Sequence, residues 1–175
     1  REKAKPVDLT KYDSTIGSRW GGRGVPEKVK EICNKQKVNT IQLVRTQEAL
    51  MDAMVNGYAA HSGQSAGWKS SPSSRNVHER GPSWNHDMCI CGYDDTKEHW
   101  PFRVWFIANS WGRWNKPVKD WPEDYPDPPP GLIVTSADDF NICVSSGDCW
   151  VYGGVDGFPP QKLPDFGTIG KLDNA

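Results

Sequence analysis

No run of apolar residues in this 175-residue chain approaches the roughly 18 needed to cross a bilayer, so the sequence holds no membrane-spanning helix. No charge of one sign dominates either. The 21 Lys and Arg stand against 22 Asp and Glu, a net charge of -1, and bulk charge gives no case for nucleic acid or an anionic membrane as partner. No CxxC pair occurs, and five cysteines, an odd and modest number, do not make a disulfide scaffold or a structural zinc site. Internal repeats are absent. The opening REKAKPVDL is polar throughout, so no secretory leader is read there. No Met begins the chain, which leads to the expectation that Arg1 was made by processing or follows an upstream part of the protein. Long regular helices cannot dominate a chain with 17 Gly and 14 Pro. What the chain does have is tryptophan, nine of them, and disordered chains are poor in aromatics. The expectation is one folded α+β domain over residues 1–175, helices first and an antiparallel sheet after them.

Along the chain, residues 1–24 read as an irregular entry ending in Trp20-Gly21-Gly22-Arg23-Gly24. Pro26 suits the start of a helix whose Val29, Ile32 and Cys33 share one face. Thr46 is a usable N-cap for a second helix, with Ala49, Leu50, Ala53 and Met54 as its apolar stripe and Gly57 as its stop. Tyr58–Ser62 reads as a short strand and residues 63–83 as a polar loop with few apolar anchors. His86–Tyr93 and Phe102–Asn109 are apolar at nearly every position, as strands buried on both faces are. A charged segment ending in Pro101 joins them, so a hairpin is the economical reading. Residues 113–130 are a Pro-rich surface crossing. Gly131–Thr135, Phe140–Val144 and Cys149–Tyr152 read as strands, and the tail from Gly153 as coil.

If Tyr93 pairs with Phe102, His86 falls directly opposite Asn109, with Cβ atoms about 4.5–5.5 Å apart. A carboxamide oxygen there would accept a proton from one ring nitrogen and fix the tautomer, leaving the other nitrogen free to deprotonate a thiol. Trp111 would keep water off that bond. From spacing alone, a buried His satisfied by its strand neighbour is the plainer account. Cys89 and Cys91 share the strand face opposite to His86, so parity excludes a metal site made of His86 and the two thiolates, and no metal or cofactor is expected. Cys143 and Cys149 bracket VSSGD. If that segment is a hairpin turn the two sulfurs could bridge, and two reduced, half-buried thiols are the other reading. His61 ends a short strand, and His78 and His99, in polar loops, read as solvated side chains.

Asn109-Ser110-Trp111-Gly112 resembles the Asn-Ser-Trp-Gly motif of papain-like cysteine peptidases. It follows a strand whose partner opens with His86 and runs on to Gly92-Tyr93, as that family's His strand does. Trp20-Gly21-Gly22-Arg23-Gly24 before a helix is similar to the family's Gly-Gly segment, and the helix ending at Gly57 to the helix before its His strand. The likeness covers roughly residues 20–112; beyond Gly112 the family's second Trp-Gly pair is replaced by the Pro-rich crossing. The resemblance implies a sheet-rich, barrel-like lobe with remnant helices of the other lobe. It implies catalytic roles for His86 and Asn109, supporting roles for Ser110, Trp111 and Gly112, and substrate backbone pairing by Gly21 and Gly22.

The family's nucleophilic Cys precedes the Gly-Gly segment at the start of a long helix, with an oxyanion-hole Gln before it. Here no residue among the 20 before Gly21 is Cys or Gln. Cys33 follows Gly22 and reads as a buried structural thiol on a helix face. Without a nucleophile the chain alone should be nearly inert as a peptidase. Two functions follow. One is the C-terminal part of a papain-like peptidase whose Cys comes from another polypeptide chain. The other is an inactive papain-fold protein used for binding or structure, for instance within a larger assembly such as a virus particle. Either leads to the expectation of a protein partner over the face that bears His86, or else of poor solubility of the isolated chain.

Overall fold

The computed structural model describes residues 14–35 and 37–155. The chain divides into two units, Arg1–Lys37 and Val38–Ala175. In the first, α1 spans Ser14–Arg23 and α2 spans Glu27–Cys33. The stretch expected to be irregular is thus helical from Ser14. Gly24 ends α1 in the left-handed region (φ +82°), its N–H bonded to the Trp20 carbonyl at 2.8 Å, which only glycine does without strain. Pro26 caps α2 from just outside it, and α2 ends at Cys33, short of Lys37. The buried face expected of this helix is not there: Ile32 is 51% exposed, and Cys33 is exposed as well.

The second unit holds the sheet. Its strands and helices run β1 (Val38–Val44), α3 (Gln47–Val55), β2 (Ala59–Gln64), β3 (Gly67–Trp68), β4 (Arg80–Gly81), β5 (His86–Asp94), β6 (Val104–Ala108), β7 (Ile133–Ser136), α4 (Ala137–Ser145) and β8 (Cys149–Val155). Six of the strands form one sheet in the order β1-β8-β2-β5-β6-β7, every pair antiparallel. The protein is therefore α+β with an antiparallel sheet, as expected. One face of the sheet carries Val44, Ala60, Met88, Ile90, Ile107 and Val151, and against it pack Leu50 of α3 with Phe140, Cys143 and Val144 of α4. β5 alternates buried Met88 and Ile90 with exposed Cys89 and Cys91, so it is buried on one face only, not both. β8 continues through Gly153 to Val155 where coil was expected, and the rest of the tail lies outside the described residues.

Local chemistry explains most of the elements. Thr46 caps α3, its hydroxyl accepting the Ala49 N–H at 3.2 Å, and Gly57 (φ +79°) turns the chain out of the helix. Ser136 does the same for α4 through the Asp139 N–H at 3.3 Å, with Asp138 and Asp139 in the first turn. Residues Phe140–Val144 are therefore helix and not strand; Phe140, Cys143 and Val144 are buried at helical spacing. Residues 63–83 are also anchored, contrary to expectation, with Ala66, Trp68, Val77 and His78 all buried. Their β3–β4 ribbon brings two backbones too close for any side chain. A Cβ on Gly67 would lie 2.0 Å from the Pro82 carbonyl oxygen.

His78, expected in solvent, is a fully buried pin between three segments. The Val134 N–H lies 3.2 Å from its Nδ1, while the Lys116 carbonyl and the Asn115 Nδ2 lie 3.0 and 3.2 Å from its Nε2. The crossing at 113–130 is irregular, as expected, and is held down by aromatic edges. Trp121 and Tyr125 meet the Phe106 ring edge-on, at centroid distances of 5.7 and 6.1 Å. The Asn76 side chain and the Lys119 backbone exchange two bonds of 2.7 Å.

Candidate active site

β5 and β6 form the expected hairpin in a different register. Tyr93 pairs with Trp105 where Phe102 was expected, an offset of three residues. An odd offset would turn every following side chain to the opposite face. A bulge between Ile90 and Gly92 absorbs one residue, so Cys89 pairs with Ala108 and the remaining offset is two. An even offset preserves the face. His86 and Asn109 are consequently diagonal neighbours, which long side chains can bridge. They do so: His86 Nε2 lies 3.0 Å from Asn109 Oδ1.

The assignment of protons follows from a second bond. The Trp111 backbone N–H also points at Asn109 Oδ1, at 3.3 Å, and a backbone N–H only donates. The oxygen of the carboxamide is therefore the shared acceptor, and His86 Nε2 must donate to it. Nδ1 is left with its lone pair, and among the described residues nothing bonds to it. Asn109 is buried (7% exposed) and its Nδ2 has no partner among the described residues. Trp111 stacks on the imidazole, ring centroids 4.6 Å apart and planes 22° from parallel, while its outer face leaves it 49% exposed. Ser110 is exposed in the turn, and Gly112 (φ +63°) lets the chain leave it.

Two residues beside His86 escaped the sequence reading. Gln64 is its direct partner on β2, 8% exposed, with Oε1 accepting the Cys143 thiol at 3.1 Å and Nε2 without a partner among the described residues. The strand read as Tyr58–Ser62 stopped two residues short of it; the continuing alternation Ala60, Ser62, Gln64 was the available signal. Trp84 packs on Trp111 and Trp114 at centroid distances of 4.9 and 5.1 Å, extending the aromatic wall around His86. Its position two residues before His86 on the same face was the signal there.

The four thiols of the second unit are either turned to the other face from His86 or held protonated. Cys89 and Cys91 occupy the sheet face opposite to His86. Cys143 and Cys149 are free thiols, not a disulfide, because Cys143 sits in α4 and not across a hairpin from Cys149. Burial pushes each of them up to about 12, so both stay protonated. Gly21 and Gly22 lie inside α1, where backbone groups serve the helix and offer no extended edge to a peptide. No group of three or more His, Cys, Asp or Glu among the described residues is placed to hold a metal, and no described helix is long and apolar enough to cross a membrane. A groove of about 240 Å³ lies between β1 and α3, lined by Leu43, Val44, Ala49, Ala53 and Val151 and by no residue of the His86 site.

No family model, curated protein or solved structure matches the chain. What remains is the geometry: a histidine with one nitrogen pinned by a carboxamide, the other open, and an indole over the pair.

Proposed function

We propose that this chain is the His- and Asn-bearing part of a papain-like cysteine peptidase, completed by a nucleophilic Cys on another polypeptide. The His86–Asn109 bond carries the reading, because it fixes the tautomer that such a reaction needs. With Nε2–H held by Asn109, Nδ1 is the base that takes the thiol proton, and the resulting imidazolium keeps its bond to the carboxamide. The thiolate attacks the peptide carbonyl, and the imidazolium returns the proton to the leaving amine. Trp111 shields the His86–Asn109 bond from water, which strengthens it. The antiparallel sheet that holds both residues corresponds in this reading to the family's sheet-rich lobe.

The test is reconstitution. Intact mass and native mass spectrometry of the protein from its source should reveal a co-purifying chain with a Cys at a helix start, and the pair should hydrolyse a peptide substrate. His86→Ala should abolish that hydrolysis, and the isolated chain should show none. A chain that purifies without such a partner, or a complex that forms and stays inert, would sink the peptidase reading and favour a papain-fold binding protein.

A further inference from the structure

The face of β2 and β5 turned away from His86 holds a second hydrogen-bonded constellation, built from three adjacent strands. His61 of β2 lies with Nδ1 2.6 and 2.7 Å from the two carboxylate oxygens of Asp87 on β5. Its Nε2 is met by the Tyr152 hydroxyl of β8. The ladder accounts for the convergence, since Gly63 pairs with Asp87 and Ala59 with Tyr152, which puts His61 between them on one face. A carboxylate only accepts, so Nδ1 carries the proton and donates to Asp87. In the neutral imidazole Nε2 then has the lone pair, and the Tyr152 O–H donates to it. The imidazole and phenol rings also stack, with centroids 5.0 Å apart.

Hydroxyl to imidazole to carboxylate is the order of bonds by which a base-activated nucleophile is recognised, whatever the fold that carries it. We infer that Tyr152 is a phenol nucleophile toward small acyl donors with good leaving groups, with His61 as its base and Asp87 as the positioning residue. The site is open. The Asp87 side chain is 58% exposed and that of His61 is 23% exposed, and the neighbour of Tyr152 across β2 is only Ala59. Burial, the Asp87 charge and the Asp148 charge all raise the phenol above its ordinary range, so the oxygen keeps its proton at rest and loses it only as it attacks. In that step Tyr152 Oη bonds to the carbonyl carbon of an aryl ester and its proton passes to His61 Nε2. The aryl oxide departs with the electron pair of the broken C–O bond. The product is an O-acyl tyrosine, and the imidazolium formed is stabilised by Asp87. Because Asp87 directly follows His86 on the strand, the two sites lie on opposite faces of β5 and do not share a side chain.

The experiment is acetylation of the full chain by 4-nitrophenyl acetate at neutral pH, followed by peptide mapping. Tyr152 should gain its acetyl group about a hundredfold faster than Tyr58 or Tyr93 in the same molecule, the size of effect a positioned base gives. This comparison within the wild-type chain needs no variant to fold. Asp87→Ala should slow Tyr152 alone and shift its pH–rate profile, and Asp87→Glu should restore part of the rate. Labelling of Tyr152 at the rate of Tyr58 would overturn the inference. So would an acetyl group carried by His61 at an undiminished rate in Tyr152→Phe, since the imidazole would then be the nucleophile.

Discussion

Asn109 has one carboxamide oxygen and two donors aimed at it, the His86 ring and the Trp111 backbone. Replacing it with Ala leaves both donors without their acceptor, at a cost of about 1–3 kcal/mol for each buried group so orphaned. The ring should lose its fixed tautomer as well. Histidine ¹⁵N spectra should show the Nε2-protonated form for His86 in the native chain and an average of both tautomers in Asn109→Ala. An unchanged spectrum would mean that something else fixes the ring. His78 gives a prediction of a different kind. Desolvation by burial lowers its pKa below the ordinary 6.5, outweighing the backbone carbonyls that raise it. The unfolded chain therefore binds a proton at a pH where the folded one does not, and His78 makes stability fall as pH drops through 6.5 toward its folded value. Urea unfolding at pH 7.5 and 5.5 should show this loss, and a His78→Gln variant should show less pH dependence on a lower overall stability.

At the scale of elements, two helices begin at hydroxyl caps, and each cap is separable from the packing. Thr46→Ala and Ser136→Ala should each cost about 1 kcal/mol, with the urea slope unchanged. The β3–β4 ribbon should be less tolerant. Gly67→Ala places a methyl where the Pro82 carbonyl stands, so the ribbon must part, and the Lys69 N–H, bonded to the Glu79 carbonyl at 2.9 Å, should lose its protection from hydrogen exchange. The hairpin of β5 and β6 shows how far sequence carries at this scale. The hydrophobic pattern gave both strands, because strand existence depends on local composition. It could not give the register, which the bulge beyond Ile90 and the pairing of Tyr93 with Trp105 set together. The site survived the error because the offset left at Cys89 is even. The helix α4, where the pattern predicts a strand, differs for a related reason. Four apolar residues in a five-residue segment fit either period, and Ser136 with two aspartates after it is the deciding cue.

For the whole molecule, the sheet and two helices enclose the core beneath His86, and Leu50 lies wholly buried in it. Leu50→Ala should cost about 2–5 kcal/mol, seen as a fall in the urea midpoint. The sequence by itself determined the α+β class, the α3 cap, the hairpin and the shared face of His86 and Asn109. These depend on composition, on short-range periodicity and on which residues are present. Only the tertiary structure decided that Gly21 and Gly22 are helical and that Cys143 and Cys149 stay apart as thiols. It alone buried His78 and drew Asp87, His61 and Tyr152 onto one face. Those three residues are 26 and 65 positions apart in sequence order, and no local pattern links them. β8 enters the sheet between β1 and β2, and that insertion, a matter of long-range strand pairing, is what sets Tyr152 against His61.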